Sequence, residues 1–312
     1  MNLYEGLEAV PEFTRSTVAI GTFDGVHAGH QAILRRALQD ARIYGRPALV
    51  FTFDRHPATV LAPERAPEML TTPAQRNRLI ADLGLDGLIV AHFDRAFSEQ
   101  SPEVFVRDIL KGRLGAEAIV VGTTFGFGKD RAGNVFYLEG VQAEFDFTLH
   151  ALEPVLVDGA PASSTRVREL LRAGDVAEAE RVLAHSFWLA GKVAPGQKLG
   201  KTLGYPTANM VRSFPQVVPA DGIYAVCAAL DDGRRFGGAC SIGDRPTVPG
   251  AGHAIETYLL DFNEDIYGRE MELRFLLRLR PEAKFDSLEA LKTQIEYDVA
   301  RARVLTESGC KE

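Results

Sequence analysis

The chain has 312 residues, more than one hydrophobic core usually holds, and this length predicts two domains. Hydrophobic residues make up 46% of it, as in an ordinary globular protein, and its net charge of -7 argues against a nucleic-acid partner, because duplex binding usually needs a basic surface. The three cysteines, Cys227, Cys240 and Cys310, form no CxxC pair, so we expect a reducing compartment, no disulfide framework and no structural zinc site.

The amino-terminal segment, residues 1–15, contains Glu5, Glu8 and Glu12 and has no long apolar stretch, so it does not read as a signal peptide. No window of the sequence approaches the roughly 18 apolar residues that a membrane helix needs. We therefore expect a soluble, cytoplasmic protein without a membrane partner.

The first half of the chain alternates predicted strands with predicted helices. Apolar runs predict strands over 16–23, 47–53, 87–93 and 116–122. The helical spacing of apolar residues predicts helices over 31–44, 73–83 and 102–111. This alternation predicts an α/β domain with a parallel, doubly wound sheet, in which ligands bind at the carboxyl ends of the strands.

The second half has a different pattern. After two short helices that end the first half, predicted over 164–172 and 176–183, strands are predicted over 223–230, 235–242, 255–262 and 271–280. Short strands with turns between them predict a small antiparallel β-barrel, and a helix over 287–304, capped by Ser287, closes the chain. The change of pattern places the predicted domains at 1–185 and 186–312.

A glycine-rich turn with two histidines joins the first long strand to the first helix. His27 and His30 are one helical turn apart, and Gly21, Gly25 and Gly29 let the backbone approach a ligand closely. Free N–H groups and the helix dipole at such a junction favour phosphate. The alternative for the histidine pair alone is a capping or packing role, but the flanking strand and glycines favour a nucleotide site.

The segment GTFDGVHAGH, residues 21–30, resembles the HxGH-type nucleotidyltransferases, and within them the FDGVHxGH form of bacterial bifunctional riboflavin kinase/FAD synthetases. The resemblance implies a Rossmann-like amino-terminal domain that transfers an adenylyl group from ATP to FMN. It implies that His27 and His30 stabilise the transition state and that ATP is contacted by Gly21, Phe23, Asp24 and Gly29.

Three further segments of the first half fit the same family. They are FTFDRHP at 51–57, VGTTFGFGKDRAGN at 121–134 and SSTRVR at 163–168. The resemblance implies flavin contacts by His56 and Phe125, and phosphate contacts by Ser163, Ser164, Thr165, Arg166 and Arg168. Without the family, SSTR is an ordinary helix cap followed by a solvated arginine. Thr124 departs from the usual Asn or Asp and bears on the efficiency of adenylyl transfer.

The implied chemistry explains these residue types. The phosphate of FMN is already an anion, so its attack on the α-phosphorus of ATP needs no general base. The reaction needs charge neutralisation instead, which histidine, arginine, hydroxyl groups and a magnesium ion can supply.

Residues 187–303 resemble the riboflavin kinase domain, most strongly in GKVAPGQKLGKTLGYPTAN at 191–209. The resemblance implies that ATP phosphates are bound by Gly191, Gly196, Gly200, Lys201 and Gly204. It also implies that Thr207 and Asn209 offer neutral oxygens to Mg²⁺. Without the family, PTAN is an ordinary turn. Lys201 replaces a common arginine and loses its bidentate fork.

Glu256 matches the glutamate that acts as general base in the family, accepting the proton of the ribityl hydroxyl. The alternative is a strand glutamate that points to solvent. By strand alternation Glu256 shares a face with Tyr258, Leu260 and Phe262, which is typical of a barrel interior. The resemblance implies flavin contacts by Tyr258 and Arg280.

Residues 241–247 match a SIGxxPT loop of the family, and together the motifs indicate a bifunctional enzyme that acts on riboflavin, FMN and ATP and releases FAD, with Mg²⁺ as cofactor. Three alternatives stay open: an enzyme with only the kinase active, a flavin carrier without catalysis, and a nucleotidyltransferase for another phosphorylated substrate. Whether the protein forms a homo-oligomer is also open.

Overall fold

The computed structural model describes residues 1–196, 204–244 and 253–310. It divides into two compact units, Met1–Ser164 and Thr165–Glu312. The first unit therefore ends before the predicted boundary at 185, because the two short helices after Ser164 group with the second unit.

The first unit contains the predicted parallel sheet. Six strands, every neighbouring pair parallel, lie in the order Asn2–Glu5, Gly87–Ala91, Ala48–Phe53, Ser16–Ile20, Ala116–Gly122 and Thr148–Leu152. The four central strands confirm the predicted ones. The two edge strands were not predicted, because their residues are half-buried or exposed and form no continuous apolar run.

Helices cover both faces of this sheet, as a doubly wound fold requires. They are Ala28–Tyr44, Ala58–Leu61, Pro73–Asp82, Arg95–Ser98, Pro102–Val104 with its π-helical continuation Phe105–Arg113, and Val135–Val141. One core lies around Ile20, Ile119 and Leu110 and the other around Leu34 and Val50. The alternation of strands and helices thus predicted the architecture of this unit correctly.

Strand Ser16–Ile20 lies at the switch point of the sheet. Its neighbours are Ala48–Phe53 on one side and Ala116–Gly122 on the other, and the chain continues outward from each of them. At such a point the loops after the two central strands diverge and leave a crevice at the carboxyl edge. The histidine loop, which we define as residues 21–27, follows Ser16–Ile20 at this edge.

The second unit is a closed antiparallel barrel, as predicted. Its strands follow the order Trp188–Ala194, Thr207–Val211, His253–Leu259, Arg235–Asp244, Gly222–Leu230 and Glu270–Arg280. The unit also contains helix Val176–Leu183, most of helix Ser164–Ala173 and the carboxy-terminal helix Leu288–Gly309. Ser287 caps this last helix, since its hydroxyl accepts a hydrogen bond from Ala290 N at 3.1 Å.

The barrel interior is closely packed. Tyr224 and Phe275 are fully buried with their rings 5.4 Å apart, and burial raises the pKa of Tyr224 to about 12. On the outer face of the barrel, Trp188 is also only 5% exposed and lies under the guanidinium of Arg274, its register partner, at 5.9 Å.

The expectation of no disulfide is wrong. Cys227, in strand Gly222–Leu230, is bonded to Cys310 at the end of the carboxy-terminal helix, with 5.4 Å between their Cα atoms. The pairing was not predictable from spacing because the two cysteines are 83 residues apart. Cys240 is the free cysteine of the described residues, and burial raises the pKa of its thiol to about 12, so it is not a reactive thiolate at neutral pH.

Candidate active sites

The histidine loop has an unusual backbone. Phe23, Gly25 and Val26 all have positive φ, at 51°, 81° and 40°. The turn ends at His27, which caps helix Ala28–Tyr44: its Nδ1 accepts a hydrogen bond from His30 N at 3.4 Å. The two imidazole rings stack with their centroids 3.6 Å apart, so the motif brings both histidines to one place at the carboxyl edge of the sheet.

The surroundings of His30 favour the uncharged form of its imidazole ring. Burial and the neighbouring His27 lower its pKa well below 6.5, so the imidazole is neutral at pH 7. Its Nδ1 is buried, and no described residue offers that atom a hydrogen-bond partner. The capping alternative is correct for His27. It does not exclude a ligand site, because the cap uses the backbone N–H of His30, and the ring nitrogen Nδ1 of His30 is still unsatisfied.

Three of the predicted ATP contacts, Gly21, Asp24 and Gly29, have close neighbours within the protein itself. A Cβ at Gly21 would lie 3.0 Å from the Phe23 ring, and one at Gly29 would lie 3.2 Å from the His27 ring. At both positions a ring lies close against the backbone, so a side chain there would make a tight contact with that ring. The Asp24 carboxylate is only 1% exposed and accepts hydrogen bonds from Leu70 N at 2.9 Å and Thr71 N at 3.2 Å.

The division between the two units falls within the SSTR segment, directly after Ser164. Ser164 donates a hydrogen bond from Oγ to the Asp24 carbonyl at 2.9 Å. Thr165 is exposed, and the Arg166 guanidinium forms an ion pair with Glu178 at 2.8 Å. Arg168 is buried at 7% exposure. Sequence reasoning did not foresee the Arg166–Glu178 pair, which involves a helix that carried no motif.

Aromatic rings gather near the carboxyl edge of the sheet. Phe125, a predicted flavin contact, stacks on Phe127 at 5.3 Å with only 16° between the ring planes. The cluster continues through Phe53, Phe93, Phe97 and Phe105, which sequence reasoning did not single out. His56, the other predicted contact, is half-buried and its Nδ1 accepts a hydrogen bond from Ala58 N at 3.1 Å.

A polar pair at the same edge was also missed. Asp54 and His92 directly follow two neighbouring strands, and their Oδ2 and Nδ1 atoms are 2.7 Å apart. Burial raises the pKa of Asp54, but hydrogen bonds from Arg55, Phe93 N and His92 outweigh it, so the pKa is lowered. Asp54 lies inside the FTFDRHP segment, and its position directly after a predicted strand could have indicated a polar residue at this edge of the sheet.

The predicted phosphoryl-transfer residues of the second unit share one face of two neighbouring strands. Thr207 and Asn209 lie opposite Tyr258 and Glu256 in the register, and the Thr207 hydroxyl donates to Glu256 Oε2 at 3.3 Å. A Cβ at Gly196 would lie 1.9 Å from the Asn209 amide nitrogen, so the backbone at Gly196 lies directly on that side chain. The structure thus brings together residues that are distant in sequence.

The face that carries Glu256 is not the barrel interior, and that expectation is wrong. The interior positions are Ile255, Thr257 and Leu259, which are buried, whereas Glu256 and Tyr258 are half-buried on the outer face. The prediction extended the strand to include Leu260 and Phe262, whose apolar side chains made the face of Glu256 resemble an interior face. The strand ends at Leu259. The turn alternative for PTAN is wrong as well, since Thr207 begins strand Thr207–Val211.

The remaining predicted residues of this unit lie in varied places. Gly191 is inside strand Trp188–Ala194, where a Cβ would lie 2.4 Å from the Val211 carbonyl oxygen, and Gly204 has φ 87° with open space around it. Gly200, Lys201 and residues 245–247 lie outside the described residues. Arg280 forms an ion pair with Asp298 at 2.8 Å.

An aromatic pair and a cavity adjoin the polar face. Tyr258 meets Tyr205 edge to face at 5.2 Å. A cavity of about 450 Å³ is lined by Pro206 and Thr207, by the inner-face residues Thr257 and Leu259, and by the loop at 262–267. Thr207 therefore borders both the cavity and Glu256.

The oxygen donors of this face suit a hard cation. In the described part of the chain, no group of three or more His, Cys, Asp or Glu side chains could hold a metal ion. Thr207 and Asn209 nevertheless present neutral oxygens beside the Glu256 carboxylate, a set that Mg²⁺ accepts when substrate phosphates complete its coordination.

Comparison with known proteins links each unit to a family. The FAD synthetase family model matches residues 10–166, and the riboflavin kinase model matches residues 183–306. Neither covers residues 167–182, so the predicted domain boundary between 185 and 186 stays a prediction. Among the helices that the structure describes, none is long and apolar enough to cross a membrane.

Curated relatives match almost end to end. A Pseudomonas fluorescens protein named bifunctional riboflavin kinase/FMN adenylyltransferase is 42% identical over 307 residues, 98% of each chain. Proteins of the same name from Haemophilus influenzae and Escherichia coli K12 are 36% and 35% identical, covering 99% and 97% of this chain and 100% and 97% of their own.

The fold is also found in a solved structure. A crystal structure of a protein named macrolide-efflux protein, from Streptococcus pneumoniae, matches with a TM-score of 0.88 and 30% identity. The match covers 98% of this chain and 99% of that one, so both units have counterparts there.

Proposed function

Because the chain belongs to the bifunctional riboflavin kinase/FMN adenylyltransferase family, we propose that each unit carries one of the two reactions, at the residues described above. The enzyme phosphorylates riboflavin with ATP to give FMN, and adenylylates FMN with a second ATP to give FAD and pyrophosphate. The observation that carries the proposal is that the histidine pair lies in the first unit and the polar face of Thr207 and Glu256 lies in the second.

In adenylyl transfer, a phosphate oxygen of FMN attacks the α-phosphorus of ATP, and the bond to pyrophosphate breaks. The nucleophile is an anion, so the protein has to offset charge rather than remove a proton. We assign this role to the stacked His27 and His30 at the start of helix Ala28–Tyr44. A neutral imidazole serves as a hydrogen-bond donor, and the helix N-terminus adds positive potential.

Phosphate and flavin contacts of this site are assigned by motif and position. Ser163, Ser164, Thr165, Arg166 and Arg168 are proposed to bind ATP phosphates, and the bond from Ser164 to the Asp24 carbonyl supports this for Ser164. The Phe125–Phe127 stack offers a flat apolar surface of the kind an isoalloxazine ring needs, with His56 as a polar neighbour.

In phosphoryl transfer, Glu256 accepts the proton of the riboflavin 5′-hydroxyl as that oxygen attacks the γ-phosphorus and ADP leaves. Glu256 Oε2 accepts a hydrogen bond from the Thr207 hydroxyl at 3.3 Å, so the carboxylate is oriented by a neighbouring strand. Thr207 and Asn209 are proposed to hold Mg²⁺, which when bound neutralises the phosphates of the nucleotide.

The cavity beside Thr207 is the proposed site for the ATP base and ribose. Its volume, about 450 Å³, is within the range of small-molecule pockets, and Pro206, Leu259 and Phe262 give it apolar walls. Tyr258 and Arg280 are proposed to face the flavin. We further propose a cytoplasmic location, where riboflavin and ATP are both present, and leave a homo-oligomer open.

The test is chromatography of the products after pure protein is incubated with riboflavin, ATP and magnesium. FMN followed by FAD supports both activities and makes Thr124 a tolerated change. FMN alone supports the alternative in which only the kinase is active. No product at all supports the carrier alternative.

Two variants test the assignment of residues to reactions. Glu256→Gln is expected to abolish FMN formation and to leave the adenylylation of supplied FMN intact, because the carboxylate base is lost from the second unit alone. His30→Ala is expected to do the reverse. Equal loss of both activities in either variant would contradict two separate sites.

A further inference from the structure

The histidine loop has a conformation that its residues do not favour by themselves. Phe23 and Val26 have positive φ, which is uncommon for residues with a side chain and least expected for β-branched valine. Both side chains are buried, at 0% and 1% exposure. Contacts from outside the loop must therefore maintain this conformation.

A second segment, Leu70–Thr71, provides such contacts. The Thr71 hydroxyl accepts a hydrogen bond from Gly25 N at 3.2 Å and lies 3.3 Å from Asp24 Oδ1, to which it donates. The Asp24 carboxylate in turn accepts the N–H groups of Leu70 and Thr71. We call these bonds the Asp24–Thr71 clamp. Asp24, Leu70 and Thr71 are at most 4% exposed, and Gly25 is buried.

The clamp fixes the backbone immediately before the histidine pair. Gly25 is two residues from His27, whose Nδ1 receives His30 N and whose ring stacks on His30. A rotation of the peptide at Gly25 would therefore move His27 and, through the stack, His30. Reacting groups held in place by such contacts lose activity steeply when they are displaced.

We infer that Thr71 is a positioning residue of the adenylyl-transfer site, acting through Asp24 and Gly25 on the two histidines. The inference rests on the proposed role of His27 and His30. It assigns Asp24 to the same task, because its carboxylate is directed at Leu70 and Thr71. A hydroxyl is required at position 71, since one atom there both donates to Asp24 and accepts from Gly25.

The test compares Thr71→Val, which has nearly the same volume but no hydroxyl, with Thr71→Ser, which keeps the hydroxyl. FMN adenylylation and riboflavin phosphorylation are measured on the same full-length preparations. Thr71→Val is expected to lower kcat for adenylylation by about tenfold or more, with KM for ATP changed by less than about threefold. Thr71→Ser is expected to remain within about twofold of the parent protein, and kinase activity is expected to be unchanged in both.

Asp24→Asn gives a second variant if Thr71→Val does not fold, and it is also expected to lower kcat rather than to raise KM. Full adenylylation by either variant would overturn the inference, as would a rise in KM with unchanged kcat. His30→Ala is included in the same assay. If it retains FAD formation, the proposed function of the histidine pair fails; if only it loses FAD formation, the positioning role alone fails.

Discussion

The lowered pKa of His30 makes the stability of the folded chain depend on pH. Its pKa in the folded chain is lowered by burial and by His27, whereas in the unfolded chain it has its ordinary value of 6.5. As the pH falls below about 6.5, the unfolded chain binds a proton at this residue and the folded chain does not. The stability that depends on neutral His30 is therefore complete above this pH and lost below it.

We expect His30→Gln to reduce the loss of stability of the first unit between pH 7.5 and pH 5.5, because glutamine does not titrate. Urea unfolding of the parent protein and the variant at both pH values measures the effect. An equal loss in both proteins would show that His30 is protonated in the folded state. Kinase activity measured along the same urea series reports whether the second unit is affected.

Arg46 and Asp40 form a buried ion pair at the other edge of the sheet, where the strands begin. Their side chains are 6% and 5% exposed, the atoms are 2.6 Å apart, and Arg46 also contacts Glu117 at 2.6 Å. Burial raises the pKa of Asp40, but hydrogen bonds from Thr17, Arg46 and His150 outweigh it and lower the pKa. Removing one partner would leave a buried charge without its counter-ion.

Arg46→Met is expected to lower the free energy of unfolding by about 3 kcal/mol without changing kcat of adenylylation at 25 °C, since the histidine loop is at the opposite edge. Arg42→Met is the matched control, because Arg42 and Asp86 are 61% and 36% exposed. Its effect should stay below about 1 kcal/mol. Similar decreases in the free energy of unfolding of the two variants would mean that the buried pair stabilises the fold no more than the exposed pair does.

At the level of elements, periodicity was sufficient where a segment is buried on a regular face. Strands such as 116–122 and helices such as 176–183 have the predicted bounds. Edge strand Thr148–Leu152 was missed because its residues are only partly buried. The wrong face was predicted for Glu256 because alternation gives two faces but does not show which one closes the barrel.

The sites were predictable only in part for the same physical reason. Local motifs place His27 beside His30 and Thr207 beside Asn209. Contacts between distant segments, such as Asp24 with Thr71, Asp54 with His92, or Cys227 with Cys310, depend on how the elements pack. No local pattern encodes them.

The disulfide fastens the end of the carboxy-terminal helix to the barrel wall. Under oxidising conditions we expect Cys310→Ser to lower the free energy of unfolding by about 2–4 kcal/mol, because the bond restricts the unfolded chain. With dithiothreitol the parent protein and the variant should become equal. In a reducing compartment the two residues are expected to be thiols.

Thiol counting in denaturant provides the direct check. Without reductant the parent protein should show one reactive thiol per chain, that of Cys240, and after reduction it should show three. Three thiols before reduction would contradict the bond in the purified protein.

At the scale of the molecule, each unit has its own core, so damage to one should spare the activity of the other. Leu34 and Leu273 are both fully buried, the first beside the sheet and the second in the barrel. We expect Leu34→Ala to cost about 2–5 kcal/mol and to shorten the half-life of adenylylation on heating, while kinase activity decays as before.

Leu273→Ala is the reciprocal control and should shorten the half-life of kinase activity alone. Each activity is followed on samples withdrawn during incubation at a fixed temperature. Parallel decay of both activities in either variant would mean that the two units unfold as one cooperative body.

Trp188 is the only tryptophan of the chain, and it is buried in the barrel unit beneath Arg274. Emission excited selectively at tryptophan therefore originates from one unit alone. Flavin accepts this energy, so quenching during a riboflavin titration would report flavin bound within energy-transfer range of Trp188. The chain thus contains an intrinsic optical reporter, and flavin binding can be followed in the intact enzyme without a label.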